Sequence, residues 1–379
     1  MMWENNSVNL DKKHQQLAYL SRRLLGYPCN ARFNYKNLAL FFDYPLNNVG
    51  DPFSECNYQV NTHEFEREVI AYVAKLYGQL SDYWGYVSLG GTEGNILGVH
   101  LGRLHYPNGY VYYSQHSHYS ITKAINLTRS HAIEIAVQDN GEINYSTLTA
   151  ALVKNKEAPA IIVANIGTTM TGAIDDLAAI KSCLKEANIQ EYHIHCDAAL
   201  HGMILPFRNS PKMFTLSDID SLTISGHKLI GSPLPCGIFL CKASTIKSFS
   251  EHIDYIHTAD LTLSGSRSGL TPLILWQKFF KNNDLNILAQ AVIEKADYAV
   301  HALQKLNIDA WRNEDSPIVV FPKPSKKIIK KWQLAQQNNI AHIVTLSHVS
   351  ERLIDTFVKD LHLDSLECGA DVAATVSNL

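Results

Sequence analysis

The sequence predicts an α/β protein in which a mostly parallel sheet lies between helices, with a smaller C-terminal α+β unit. Between residues 60 and 245, helical segments alternate with short apolar runs rich in β-branched and aromatic residues, which is typical of buried strands. After Trp276 the pattern changes to one long helix and two further strand-like runs. We therefore expect an N-terminal helical segment at 1–50, a large domain at 51–275 and a small C-terminal domain at 276–379.

The individual elements follow from the same patterns. A helical pattern at 17–25 is ended by the break Gly26-Tyr27-Pro28. In the large domain, helices are predicted at 62–76, 92–105 and 176–187, and strands at 86–89, 110–113, 132–137, 160–165, 192–196, 221–224 and 238–241. In the small domain we expect a helix at 285–306 and strands at 318–321 and 340–346.

Composition and charge indicate an ordinary enzyme-sized globular protein. The 379 residues are 46% hydrophobic, which is enough for a sizeable core, and the net charge of -3 predicts no nucleic-acid partner. The densest basic stretch, residues 323–331, alternates with isoleucines and predicts the solvated face of an amphipathic helix.

Cysteine spacing and apolar run lengths suggest a cytoplasmic protein. The seven cysteines are scattered and form no CxxC pair, as expected of reduced thiols. The N-terminus lacks a basic region followed by an apolar stretch, and no run of 18 apolar residues occurs. We expect neither export nor membrane insertion.

The most informative segment is Ser225-Gly226-His227-Lys228, which ends an apolar run 31 residues after Asp197. A lysine amine can form a Schiff base with the aldehyde of pyridoxal 5'-phosphate (PLP), while an aspartate on a neighbouring strand can keep the pyridine nitrogen protonated. Taken singly, such a lysine is usually a surface residue and such an aspartate a cap or turn residue. The pair needs support from further motifs.

That support comes from Gly90-Gly91-Thr92-Glu93-Gly94-Asn95, which follows a predicted strand and opens a predicted helix. Free backbone N–H groups and a hydroxyl at a helix N-terminus can bind a phosphate. The segment lacks the GxGxxG of dinucleotide sites and the GK[ST] of P-loops. This segment, His118, Asp197 and Lys228 each follow a predicted strand, where open α/β sheets bind ligands, and together they predict a PLP site.

These motifs make the chain resemble the group II pyridoxal-dependent decarboxylases, and within them the branch that contains bacterial histidine decarboxylases and plant-type serine decarboxylases. The resemblance covers most of the chain. It rests on Gly50-Asp51-Pro52-Phe53, Thr62-His63-Glu64-Phe65-Glu66-Arg67, Trp84-Gly85-Tyr86, residues 90–95, His118-Tyr119-Ser120, Gly167-Thr168-Thr169, Asp197-Ala198-Ala199, residues 225–228 and Ser264-Gly265-Ser266-Arg267. Two positions depart from the family pattern: His201, where a small or aromatic residue is expected, and Ser268, where asparagine is expected.

The resemblance implies a fold type I PLP enzyme and assigns roles to particular residues. Lys228 would carry the cofactor, Asp197 would pair with the pyridine nitrogen and His118 would stack on the ring. The remaining cofactor contacts would come from Gly91, Thr92, Ser225 and His227 at the phosphate, Thr169 near the 3-hydroxyl, Ala199 under the ring, and Arg267. His227 has an alternative role in substrate exchange or protonation.

The resemblance also implies an assembly and a substrate. Residues 264–267 would complete the phosphate site of a neighbouring subunit, so a homodimer or higher homo-oligomer is expected. Ser316 would line the substrate side. The expected reaction is decarboxylation of an L-amino acid, with L-histidine first and serine or another small amino acid as the alternative.

Other functions are weaker hypotheses. Two histidine pairs at i and i+2, His116 with His118 and His193 with His195, could chelate zinc in a metal-dependent hydrolase, but that reading leaves Lys228 and the glycine segment unexplained. We expect no metal. A PLP-binding protein without catalysis is disfavoured because Lys228, Asp197 and His118 are all present, whereas aminotransferases and aldolases share the fold.

Overall fold

A computed structural model of the chain describes residues 9–246, 252–282 and 284–376. Seven strands form the large sheet: β1 (Tyr83–Ser88), β2 (Tyr110–Ser114), β3 (His131–Ile135), β4 (Ala160–Asn165), β5 (Tyr192–Asp197), β6 (Ser221–Ser225) and β7 (Gly237–Lys242). Their order is β1-β7-β6-β5-β4-β2-β3, and only β7 is antiparallel to its neighbours. Each of the seven strands overlaps a predicted one, and the predicted fold class is confirmed.

Helices accompany this sheet and bury its strands. They are α2 (His63–Leu76), α3 (Gly91–His105), α4 (Tyr119–Leu127), α5 (Tyr145–Lys154), α6 (Leu177–Glu186), α7 (Ala243–Ile246) and α8 (Leu270–Trp276), whereas α1 (Leu10–Ser21) precedes them in the chain and has no buried residue. All six residues of β4 are buried, which explains why it appears in the sequence as an unbroken apolar run. A short hairpin of β8 (His252–Ile253) and β9 (Thr258–Ala259) follows α7.

The C-terminal region has its own antiparallel sheet. Its strands β10 (Ile318–Pro322), β11 (Ala335–Gln337) and β12 (Ile340–Val344) pair in the order β10-β12-β11, accompanied by α9 (Leu285–Gln304), α10 (Lys326–Trp332) and α11 (Glu351–Val376). In α10, Ile328 and Trp332 are buried while the lysines are exposed, so the basic stretch does form an amphipathic helix. The exact boundary between the two domains stays a prediction.

The N-terminal segment differs in detail from the expected helix at 17–25. Helix α1 begins seven residues earlier, where the Asn9 side chain accepts a hydrogen bond from the Lys12 N–H, and it ends at Ser21. Leu25 lies beyond the helix and is fully buried in the C-terminal core. Leu25 is therefore apolar because it packs in this core. Its inclusion in the predicted helix was wrong. In the described part of the chain, no helix is long and apolar enough to cross a membrane.

Candidate active site

A cavity of about 440 Å³ opens where β4, β5 and β6 end and α3 begins. It brings together nine of the ten residues expected to contact the cofactor: Gly91, Thr92, His118, Thr169, Asp197, Ala199, Ser225, His227 and Lys228. The topology explains this. Asp197 and Ser225 are the last residues of adjacent parallel strands, and the carboxyl ends of parallel strands share one edge of the sheet.

Lys228 lies in this cavity close to a carboxylate. It is half-buried, and the loss of water around its amine lowers its pKa below the ordinary value, although the negative charge of Asp197 acts in the opposite direction. A lowered pKa increases the uncharged fraction of the amine. The uncharged amine is the form that attacks an aldehyde.

The Asp197 carboxylate is held by hydrogen bonds on both oxygens. Oδ2 accepts from the Asn95 Nδ2 at 2.7 Å, and Oδ1 accepts from the Ala199 backbone N–H at 3.2 Å. The residue is 7% exposed. An anion fixed in this way beside Lys228 can pair with a protonated ring nitrogen.

His118 caps the N-terminus of α4 and lines the cavity with its ring. Its Nδ1 accepts from the Ser120 N–H at 3.3 Å and lies 2.8 Å from the Ser120 hydroxyl. Burial lowers its pKa; Asp197 opposes that shift, and Lys228 and Lys123 add to it. His118 is thereby favoured in the neutral form, which can lie against an aromatic ring without a charge to desolvate.

The phosphate end is formed by the start of α3. A Cβ on Gly91 would lie 2.8 Å from the Ser225 Oγ, so only glycine lets the helix start approach this hydroxyl. His227 is oriented by its Nδ1–H, which donates to the Cys236 carbonyl at 3.1 Å. A lysine, a carboxylate, an imidazole and a helix N-terminus in one cavity fit PLP.

A second cavity, of about 500 Å³, adjoins the phosphate end. Its lining includes Thr92 and His227 together with Leu89, Leu263 and Ser264. The Ser264 hydroxyl donates to the Glu93 carboxylate at 3.0 Å. The beginning of the 264–267 segment therefore lies beside the phosphate end of its own chain.

Two of the expected site residues do not reach the main cavity. Arg267 is 3% exposed, and its guanidinium donates to both Glu66 carboxylate oxygens, at 3.1 and 3.2 Å, and to the Gly50 carbonyl. The guanidinium therefore faces Glu66 and not the main cavity, and its buried Nε has no hydrogen-bond partner among the described residues. Ser316 is fully buried, and its Oγ accepts from the Ile318 N–H at 3.1 Å. Ile318 lines the cavity in its place.

The two atypical positions also lie outside the lining. His201 is fully buried, and a Cβ on Gly167 would lie 1.8 Å from its Nδ1, so the imidazole supports the Gly167-Thr168-Thr169 loop from behind. Gly167 has φ of +100°, which favours glycine independently. Ser268 forms a backbone bridge with Asn47.

Several lining residues had no recognised signal in the sequence. Tyr27, Pro28 and Cys29 come from the N-terminal segment, and Ile318 comes from β10. Asn95 ends the glycine segment, and as the fifth residue of α3 it points toward Asp197. Of the two histidine pairs considered as zinc ligands, His193 and His195 are buried in β5, and His118 of the other pair lines the main cavity. Among the described residues, no cluster of three or more His, Cys, Asp or Glu side chains could hold a metal ion.

Comparison with known proteins identifies the family. Residues 106–269 match the pyridoxal-dependent decarboxylase conserved domain. The chain is 44% identical over 350 residues to histidine decarboxylase of Morganella morganii, covering 89% of this chain and 93% of the relative. It is 44% identical over 347 residues to histidine decarboxylase of Acinetobacter baumannii strain ACICU, covering 90% and 91%. The chain belongs to the pyridoxal-dependent decarboxylases.

Solved structures show that the decarboxylase fold extends over nearly the whole chain. L-methionine decarboxylase from Streptomyces sp. 590 superposes with a TM-score of 0.87 at 23% identity, covering 94% of both chains. Glutamate decarboxylase of Lactobacillus brevis superposes with a TM-score of 0.79 at 16% identity, covering 97% of this chain and 94% of the other. The chain therefore has the fold that its sequence predicted, and its membership of the pyridoxal-dependent decarboxylases gives PLP as the cofactor.

Proposed function

We propose that this decarboxylase converts L-histidine to histamine and CO2, with PLP bound through Lys228. The observation that carries the proposal is the convergence of Lys228, Asp197 and His118 on one cavity. Histidine as the substrate is supported by the relatives, because the histidine decarboxylases of Morganella morganii and Vibrio campbellii are 44% and 42% identical over about nine-tenths of the chain.

Each residue of the cavity would serve one task. When bound, PLP supplies an electron sink for the pair left by departing CO2. Asp197 would hold a negative charge against the ring nitrogen and keep it protonated, and its fixed carboxylate needs no reorganisation to do so. The Lys228 amine would hold the cofactor covalently, with His118 against one face of the ring.

The remaining residues would position the cofactor rather than react. Backbone N–H groups at Gly91 and Thr92 would hold the phosphate at the start of α3, together with Ser225 and His227. Thr169 would lie near the 3-hydroxyl and Ala199 under the ring. Fixing the cofactor and the amino acid in one partly closed cavity lowers the entropic part of the barrier.

The substrate side would be formed by Tyr27, Pro28, Cys29 and Ile318, which line the cavity but belong to no cofactor motif. A buried imidazole needs hydrogen-bond partners, so a pocket that supplies them rejects an apolar analogue more strongly than one that measures only size. We place histidine recognition at this group of residues.

The substrate is tested by kcat/KM for histidine and serine on the holoenzyme, with phenylalanine and ornithine as controls and the amine identified by mass spectrometry. We expect histidine to exceed each of the others by at least about tenfold, the discrimination typical of a small change in side chain. A serine value tenfold above that for histidine would replace the substrate and keep the decarboxylase. Failure to form any amine would contradict the activity itself.

We further propose a cytoplasmic homodimer. Six cysteines in the described part of the chain are free thiols, which suits a reducing compartment. Exposed Leu89 and Leu263 line the second cavity beside the phosphate end, and a second subunit would cover them.

A further inference from the structure

Asn95 connects several buried groups around the cofactor cavity. It is 1% exposed. Its Nδ2 donates to the Asp197 Oδ2 at 2.7 Å and to the Ser120 Oγ at 2.8 Å, and its Oδ1 accepts from the His195 Nε2 at 3.0 Å. Both amide hydrogens are therefore used within the protein. Although Asn95 borders the cavity, it has no donor left for a ligand.

The hydrogen-bond direction continues from Asn95 to His118. Because the Ser120 Oγ accepts from Asn95, its own hydrogen is free to donate to the His118 Nδ1, 2.8 Å away. The Ser120 backbone N–H donates to the same nitrogen. With two donors directed at it, Nδ1 carries no proton, and the neutral ring of His118 holds its proton on Nε2.

On the other side, His195 fixes the orientation of the Asn95 amide. A flipped amide would place its oxygen against the Asp197 carboxylate and its NH2 group against the Nε2–H of His195. Neither contact is favourable, so the observed orientation is the stable one. The His195 Nδ1 lies 2.8 Å from the Ser221 Oγ, which in turn lies 3.4 Å from the His193 Nε2.

Burial keeps this chain of groups neutral. His195 is fully buried, and burial, with a smaller contribution from His193, lowers its pKa to about 3. A Cβ on Gly98 would lie 2.1 Å from the His195 Nδ1, so the backbone of α3 packs directly on the ring. A neutral, tightly packed imidazole orients its neighbours and does not carry protons at pH 7.

We propose that Asn95 is a positioning residue that fixes the Asp197 carboxylate and the Nε2–H form of His118 together, with His195 as the buried anchor of its amide. The inference rests on the proposed function, since it concerns the residues expected on the ring nitrogen and the ring face. It explains the pattern His193-x-His195-x-Asp197: the three side chains share one face of β5, beneath α3.

The first test replaces the amide. Asn95→Asp keeps the shape but places a second carboxylate against Asp197, and two adjacent carboxylates cannot both stay ionised. We expect the PLP Kd to rise and kcat to fall, each by at least about tenfold. His195→Phe, which removes the anchor but fills its space, should change both in the same direction. Wild-type values in Asn95→Asp would overturn the proposal, and wild-type values in His195→Phe alone would overturn the anchor.

Asn48→Asp is the matched control. Asn48 is also fully buried, and its Nδ2 donates to a carboxylate, Glu66 Oε2, at 2.7 Å, but it does not line the cavity. We expect a loss of thermal stability similar to that of Asn95→Asp, with the PLP Kd and kcat within about twofold of wild type. Equal losses of affinity in the two variants would show a general packing effect and overturn the specific role.

A second measurement needs no destabilising variant. In wild-type holoenzyme labelled with 15N-histidine, the His118 ring signals, assigned by their loss in His118→Gln, should show a protonated Nε2 and an unprotonated Nδ1 at pH 7. A protonated Nδ1 would overturn the proposal even if Asn95→Asp failed to fold. Failure of the proposed function gives a different result, because wild-type protein would then bind no PLP or release no amine.

Discussion

Two groups of residues meet in the cavity, and they are held in different ways. The strand-end group, Asp197, Ser225, His227 and Lys228, follows two adjacent parallel strands and is fixed by the sheet and by hydrogen bonds to buried partners. The outer group, Tyr27, Pro28, Cys29 and Ile318, comes from two segments far apart in the sequence. Tyr27 is 51% exposed and Cys29 is also exposed, whereas Ile318 is buried at the start of β10, outside the large sheet.

The two groups therefore meet two different requirements of the site, which are cofactor chemistry and substrate choice. Cofactor chemistry needs charges held in place, which rigid strand ends provide. Substrate choice depends on the shape and polarity of the remaining wall, and residues outside the sheet can change without disturbing the cofactor. We therefore expect changes in the strand-end group to affect turnover and cofactor binding, and changes in the outer group to affect KM.

The largest effect is expected from Lys228→Ala, which removes the covalent attachment of the cofactor. We expect kcat to fall by at least about a thousandfold. Lys330→Ala on the exposed face of α10 is the control and should retain wild-type activity. On wild-type protein, borohydride reduction followed by peptide mapping should place the pyridoxyl group on Lys228. Its recovery on another lysine would refute the assignment of the strand-end group.

The next prediction concerns the buried histidines behind the strand ends. Burial lowers the pKa of His193 to about 4 and of His195 and His201 to about 3, whereas burial raises the pKa of Asp175 to about 6. Between about pH 6 and pH 4, each of the three histidines binds a proton in the unfolded chain but not in the folded chain. Asp175 has the opposite effect, because it binds a proton in the folded chain but not in the unfolded chain. The unfolded chain therefore binds about two more protons than the folded chain at these four groups. These four groups alone should therefore make the unfolding free energy fall by roughly 3 kcal/mol per pH unit as the pH is lowered, and His63, whose pKa burial also lowers to about 4, adds to that slope.

Denaturant unfolding at pH 7, 6 and 5 measures this slope. His201→Leu removes one of the three histidines and should reduce the slope by about 1.4 kcal/mol per pH unit. Stability that stays constant or increases from pH 6 to pH 5 would show that these histidines are not held neutral in the folded state.

The smallest effect is expected in the outer group. Tyr27→Ala should raise the KM for the amino acid by up to about tenfold, because it removes part of the substrate wall, with the PLP Kd within about twofold of wild type. Tyr44→Ala, which removes a 61% exposed tyrosine outside the cavity, is the control. If Tyr27→Ala weakened PLP binding and left KM unchanged, the division between the two groups would be wrong.

The sequence alone determined the large-domain fold and the residues of the strand-end group. Buried parallel strands appear as short apolar runs, and polar residues that directly follow such runs must lie at the carboxyl edge of the sheet. Asp197, Ser225, His227 and Lys228 could therefore be placed together before their geometry was known. The resemblance to decarboxylases gave His118 its place against the cofactor ring and added Thr169 and Ala199, which local patterns do not distinguish from ordinary loop residues.

Only the tertiary structure decided the partners of the remaining groups. Arg267 and Ser316 both match family segments. In the structure, however, Arg267 forms an ion pair with Glu66, and Ser316 is buried against the start of β10. Tyr27 and Ile318 reach the cavity through the packing of the N-terminal and C-terminal segments, as Leu25 reaches the C-terminal core. The connection from His195 through Asn95 to Asp197 also depends on how closely α3 packs on β5. Such contacts arise from long-range packing. The local sequence around a residue determines its backbone preference, but it does not determine which distant residues the side chain will contact.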